Sequence, residues 1–199
     1  PSYNGVAILA NKEVVKLDDI DFCKKNDARH LSVQTHNVEI ISLYVPAGGD
    51  DPNPQTNSKF KHKLMFLREL ENLLERKKEK KVILCGDLNI APNEDDVWSH
   101  KQLRNVVSHT EIERKILKNI LSKSQFIDSI RYFINPPDNI FTWWSYRSPD
   151  YKKNNRGRRL DHIWISLILK NALKKSRILK SYRDKIKPSD HVPVCMELK

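Results

Sequence analysis

Short apolar runs alternate with polar stretches rich in turn residues, and this rhythm lays out the elements of the chain. Residues 38–45, VEIISLYV, carry β-branched side chains with partial alternation and read as a strand. Residues 82–85, VILC, form a fully apolar run that Gly86 closes, the pattern of a short buried strand. Between them Phe60, Leu64, Leu67, Leu70 and Leu74 fall on one stripe among Lys, Arg and Glu, which predicts an amphipathic helix over 58–78. A strand, a helix and a second strand predict a layered α/β domain. Further strands are expected at 3–10, 30–34, 140–147, 160–166, 178–182 and 192–198. A second helix starts at Thr110, which forms a capping box with Glu113 and is followed by an apolar face of Ile116, Leu117, Ile120 and Leu121. Residues 126–134 are amphipathic and stop before Pro136-Pro137, and 167–173 read as a short helix. The loop 47–56, AGGDDPNPQT, is long and exposed. Neither a repeat nor a linker divides the chain, so residues 1–199 are expected to form a single domain.

Composition narrows the class. With 39% apolar and 31% charged residues the chain is globular rather than disordered. Its apolar runs fall well short of the roughly 20 residues a membrane helix needs. A basic-plus-apolar leader is absent, so no secretion signal is expected, and Pro1 implies a chain that starts inside a fold. Three cysteines without CxxC spacing suit a reducing cytoplasm. The net charge of +11 is concentrated. Residues 147–187 hold 14 Lys and Arg against three Asp, a net of +11 equal to that of the whole chain. With aromatics beside it, this segment points to a polyanion, most simply nucleic acid.

The polar residues of interest lie where apolar strands meet loops: Tyr44, Asp87 with Asn89, Asp161, and Asp190 with His191. Singly, each aspartate reads as a turn cap and the histidine as a core residue. Jointly they read differently, because strand ends in layered sheets converge on one edge where sites are built. Three carboxylates, an amide, an imidazole and a phenol define a metal-assisted phosphodiester hydrolase. Walker A, GxSxG, HExxH and zinc-type Cys/His spacings are all missing.

The motifs YVP, GDLNIAP, FTWWSYR, NRGRRLDHIWIS and PSDHVPV occur in an order that resembles exodeoxyribonuclease III-type apurinic/apyrimidinic (AP) endonucleases of the endonuclease/exonuclease/phosphatase superfamily. YVPAGGD and DDVWSHKQL resemble the form found in α-proteobacterial members. GDLN and SDH mark only the superfamily, while TWWSYR with RGRRLDHIW is specific to its DNA-repair branch. The resemblance implies an α+β, four-layer αββα sandwich of the DNase I-like kind, incomplete at its N-terminus. It implies cleavage on the 5′ side of abasic sites, 3′→5′ exonuclease activity, Mg²⁺ or Mn²⁺ as cofactor, and a cytoplasmic monomer acting on double-stranded DNA. The catalytic candidates are Tyr44, Asp87, Asn89, Asp161 and His191, and the metal candidates Asp87, Asn89, Asp190 and His191. Asp87 would activate water, Asn89 orient it, and His191 contact the phosphate, held by Asp161. Trp143, Arg147, Arg156, Arg158 and Arg159 are the DNA-contacting candidates, with Trp143 lining a sugar pocket and Trp144 packed below it. Ala47, Ser145 and Arg158 depart from residues common in the family, and its first strand with an Asn and a later metal-binding Glu are expected to lie outside the chain. Two other readings are a phosphoesterase acting on lipids or small molecules, and a DNA-binding remnant without catalysis.

Overall fold

In chain order the strands β1 (Val15–Lys16), β2 (His30–Thr35) and β3 (Val38–Tyr44) precede the helix α1 (Ser58–Glu75) and strand β4 (Val82–Asp87). Helices α2 (His100–Leu103) and α3 (Glu111–Ser124) follow, then β5 (Phe126–Asp128), β6 (Trp143–Trp144), α4 (Tyr151–Asn154), β7 (Gly157–Arg158), β8 (Asp161–Ser166), β9 (Leu173–Ile178) and β10 (Val194–Leu198). This computed structural model describes residues 4–17, 19–148 and 150–199.

Six strands form one mixed sheet in the order β1-β2-β3-β4-β8-β5. The β3–β4 pair is parallel because α1 carries the chain back across the sheet, whereas β4–β8 is antiparallel. Side-chain alternation then assigns the faces. Ile41, Leu43, Leu84 and Trp164 pack against Phe66, Leu67, Leu70 and Leu74 of α1 and Leu117 and Ile120 of α3. On the other face Val38, Ile83, Ile127 and Ile165 meet Leu173, Met196 and Leu198 of the β9–β10 hairpin. Helices, central sheet and hairpin are thus three layers of an α+β fold among the described residues. None of the described helices is long and apolar enough to cross a membrane.

Both long helices begin as the sequence predicts. The Asn57 side chain accepts from the N–H groups of Lys59 and Phe60, and Thr110 and Glu113 complete the capping box of α3. Gly86 has a backbone φ of +142°, and a Cβ there would lie 1.9 Å from the Leu43 carbonyl oxygen. Only glycine lets β4 run on past its apolar core to Asp87.

Three expectations are corrected. Residues 4–10 form no strand, because none of the described strands pairs with them; Tyr3, which begins that stretch, lies outside the described residues. The aromatic strand shrinks to Trp143–Trp144, since its partner β7 has only two residues. The strand expected at 178–182 ends at Ile178, and Lys180–Asp184 is a 3₁₀ turn; pairing with β10 sets the register earlier. After three residues β5 is stopped by Asp128, whose Oδ1 accepts from the N–H groups of Ile130 and Arg131.

Candidate active site

Strand register places three candidates side by side. Tyr44 pairs with Asp87 across β3–β4, and Asp87 pairs with Asp161 across β4–β8. The end of one parallel strand and the start of an antiparallel one therefore bring two carboxylates together at the same sheet edge. Arg29 lies over the Tyr44 ring at 4.8 Å and donates to the Tyr44 carbonyl at 3.3 Å.

Extended geometry stops at Asp87. Asn89 adopts a left-handed φ of 53°, which Asn tolerates better than most residues. Its side chain consequently turns back on Asp87 instead of projecting in parallel with it, as an extended strand would require. The Asn89 N–H donates to Asp87 Oδ1 at 2.8 Å, and Nδ2 donates to Asp87 Oδ2 at 3.0 Å and to the Val45 carbonyl at 2.9 Å. Burial, with the nearby Asp161 charge, pushes the Asp87 carboxyl up to about 7, against the lowering pull of His191, the Asn89 N–H and Lys63. A carboxylate has about four lone-pair sites, so two remain for a further proton or ligand.

His191 arrives from the loop before β10. That loop is fixed to the Trp143–Trp144 strand: Trp144 N–H donates to the Asp190 carbonyl at 3.0 Å, and Val192 N–H to the Thr142 carbonyl at 2.8 Å. Trp143 Nε1–H also donates to Asp190 Oδ2 at 2.9 Å. His191 Nδ1 then reaches Asp161 Oδ2 at 2.8 Å, and Thr142 Oγ1–H donates to the same oxygen at 2.6 Å. Burial alone would lower the His191 pKa, but the Asp161 hydrogen bond and the charges of Asp161, Asp87 and Asp190 raise it to about 9. The imidazole is therefore cationic at neutral pH and donates through Nδ1. Its Nε2 has no protein partner among the described residues.

A cleft of about 770 Å³ opens over these groups. Tyr44, Asp87, Asn89, Trp143 and His191 line it together with Arg147, Arg156 and Arg158. None of these three arginines has an ion-pair partner among the described residues, and two of them lie over aromatic rings: Arg156 over Trp98 at 4.6 Å and Arg158 over Trp143 at 5.5 Å. The two tryptophans of β6 face opposite sides as alternation requires, Trp143 to the cleft and Trp144 into a core with Phe141 and Val192. Sequence reasoning did not single out Trp98 or Ser108 as cleft residues, or Lys63 beneath the cleft. A tryptophan in the polar run 94–105, and a lysine on the apolar stripe of α1, were the available signals.

Two assignments change. Arg159 cannot contact DNA, because it is 0% exposed and bonded to Asp128 Oδ2 at 2.6 Å and Asp96 Oδ2 at 3.1 Å. It lies one residue beyond Arg158 on the chain, and period-two alternation turns it inward. The four-residue metal set of Asp87, Asn89, Asp190 and His191 does not close either. Asp190 Oδ2 is engaged by Trp143 Nε1–H, and Asp190 does not line the cleft that Asp87, Asn89 and His191 share. Three or more His, Cys, Asp or Glu side chains grouped to hold a metal are not found among the described residues. A closed protein cage for Mg²⁺ is not found among the described residues; Asp87 at the cleft is the carboxylate that would hold an ion keeping most of its waters, and the steps below are derived from the protein groups.

Residues 1–191 match the Endonuclease/Exonuclease/phosphatase family, and the chain belongs to it. It is 27% identical to an exodeoxyribonuclease of Bacillus subtilis over 195 residues, covering 96% of this chain and 73% of that protein. It is 30% identical to a DNA-(apurinic or apyrimidinic site) endonuclease of Dictyostelium discoideum, covering 96% of this chain and 52% of that protein. Among solved structures, an AP endonuclease from Archaeoglobus fulgidus superposes with a TM-score of 0.85 at 28% identity, over 94% of this chain and 72% of that one. The 3′ phosphatase NExo from Neisseria, bound to a product DNA hairpin, gives 0.82 at 27% identity, over 93% of this chain and 72% of that one. The layered α+β fold is that of these nucleases.

Proposed function

We propose that this chain is a single-domain, monomeric DNA-repair nuclease that hydrolyses the phosphodiester 5′ to abasic sites and trims 3′ ends of duplex DNA in the cytoplasm. The observation that carries the reading is the pairing of Asp87–Asn89 with the Asp161–His191 dyad across one cleft walled by Trp143 and by arginines that have no ion-pair partner among the described residues. The names of the relatives, exodeoxyribonuclease and AP endonuclease, support it.

The geometry supports the following roles. Arg147, Arg156 and Arg158 hold backbone phosphates and position the strand without reading its sequence. Asp87, with a pKa near neutrality, accepts a proton from the attacking water. The Asn89 amide fixes the carboxylate orientation. The water oxygen bonds to phosphorus, the P–O3′ bond breaks, and the O3′ alkoxide takes a proton from solvent, giving a 3′-hydroxyl and a 5′-deoxyribose phosphate. Cationic His191, held by Asp161, faces the charge that develops on the phosphoryl oxygens. Tyr44 offers a phenol at the same edge.

Trp143 supplies selectivity. An aromatic wall admits a sugar without a base, and extruding a site that has no base pair costs little. Trp143→Ala is expected to stay folded and lose preference for abasic over intact duplex. Trp144, only 1% exposed, is expected to cost about 3–5 kcal/mol of stability when cut to Ala. Nicking rates on the two duplexes, with urea unfolding of each variant, check both. A folded Trp143→Ala protein that still prefers abasic sites contradicts the pocket.

A further inference from the structure

Lys63 of α1 and Glu113 of α3 form an ion pair at 2.5 Å with both side chains fully buried. Such a pair is a poor source of stability, since hydrophobic replacement of both partners is often neutral or stabilising. What distinguishes this one is what each partner holds. Lys63 Nζ donates to the Asn89 carbonyl at 2.8 Å and to the Ala47 carbonyl at 3.2 Å. Glu113 accepts the Ser108 N–H with both oxygens at 3.0 Å, and the Thr110 N–H and hydroxyl at 3.1 and 2.6 Å. Ser108 has a left-handed φ of 83°, and its Oγ accepts from Arg158 Nη1 at 2.8 Å. Lys63 thus ends on the turn that follows Asp87, and Glu113 ends on the loop whose Ser108 holds the Arg158 side chain. The two lips also meet at Gly48, where an added Cβ would lie 3.0 Å from both Lys63 Cδ and Val107 Cγ1.

We propose that the Lys63–Glu113 pair is a clamp that fixes the Asp87–Asn89 turn against the Ser108–Arg158 wall, making both residues positioning residues for the hydrolysis. The proposal rests on the reading of this cleft as a nuclease site. Neither side chain touches substrate; each acts through the backbone it holds.

The test compares Lys63→Met and the double variant Lys63→Met/Glu113→Leu with the intact chain. Lys63→Met leaves Glu113 buried without its partner and is expected to be unstable. The double variant removes both charges and is expected to fold, with a lower thermal midpoint because the buried Ser108 and Thr110 N–H groups lose their acceptor. Its kcat on abasic DNA is expected to fall about 10²-fold with KM little changed, because loss of positioning acts on the chemical step. In ¹H–¹⁵N spectra the Asn89 side-chain amide and the Ser108 backbone amide are both expected to shift. A folded double variant with wild-type kcat, unshifted Asn89 and Ser108 signals, or a double variant that does not fold would each overturn the clamp. A wild-type chain that does not cleave would refute the nuclease reading instead, while the spectra still decide the clamp.

Discussion

Asp87→Asn is expected to abolish cleavage while leaving the fold and DNA affinity in place. The substitution keeps the shape of the side chain and an oxygen able to accept from the Asn89 N–H, now at 2.8 Å from Oδ1. It removes one negative charge from the floor of a cleft that binds phosphate, so affinity should hold or rise. What is lost is the proton acceptor, and positioned general bases contribute roughly 10²–10⁴-fold in rate. A nicking assay on abasic duplex, alongside a binding titration in the same buffer, separates the two quantities. Near wild-type cleavage by a folded Asp87→Asn protein would falsify the assignment of the base.

Arg159→Met is expected to have the largest effect on stability. The guanidinium is 0% exposed and bridges Asp96 and Asp128, joining the β7–β8 junction to β5 and to the turn at 94–96. Arg131 Nη2 donates to Asp96 as well, at 2.6 Å. Removing Arg159 leaves Asp128 buried without its main partner, and breaking a buried pair in this way costs about 3–5 kcal/mol. The pH dependence has a definite sign. Burial alone would raise the Asp128 pKa, but the Arg159 charge and the His162 contact hold it well below the usual carboxylate range. A depressed folded pKa contributes stability above the unfolded value of about 3.9, and that stability is lost as pH falls towards the folded value. Urea unfolding should show the full gap between wild type and Arg159→Met at pH 7, narrowing below about pH 4. A gap under 1 kcal/mol at pH 7, or one that widens in acid, would count against the network.

The strands and helices with strong internal patterns were legible: 38–44, 58–75, 82–87, 111–124 and 161–166. Each carries a periodic apolar face or a cap that decides its structure locally. Elements whose form depends on partners were not. The stretch 4–10 alternates like a strand yet has none beside it among the described residues, and β6 is cut to two residues by its short neighbour. The convergence of Tyr44, Asp87 and Asp161 was legible because each terminates or begins a core strand. Arg159 was misread because a basic run gives no sign of which arginine turns inward. Only the two buried aspartates, at 96 and 128, show that. Lys63 escaped for the opposite reason: a lysine on an apolar stripe looks like an interruption until its buried partner is known.

The position of the cut in damaged DNA is decisive for the proposed activity. A duplex carrying one abasic site, labelled at the 5′ end of the damaged strand, is incubated with the wild-type chain in Mg²⁺ and the labelled product is sized and tested as a primer. A single cut immediately 5′ to the site is expected, leaving a 3′-hydroxyl that a polymerase extends. An uncut strand, or a product that cannot be extended, would contradict it.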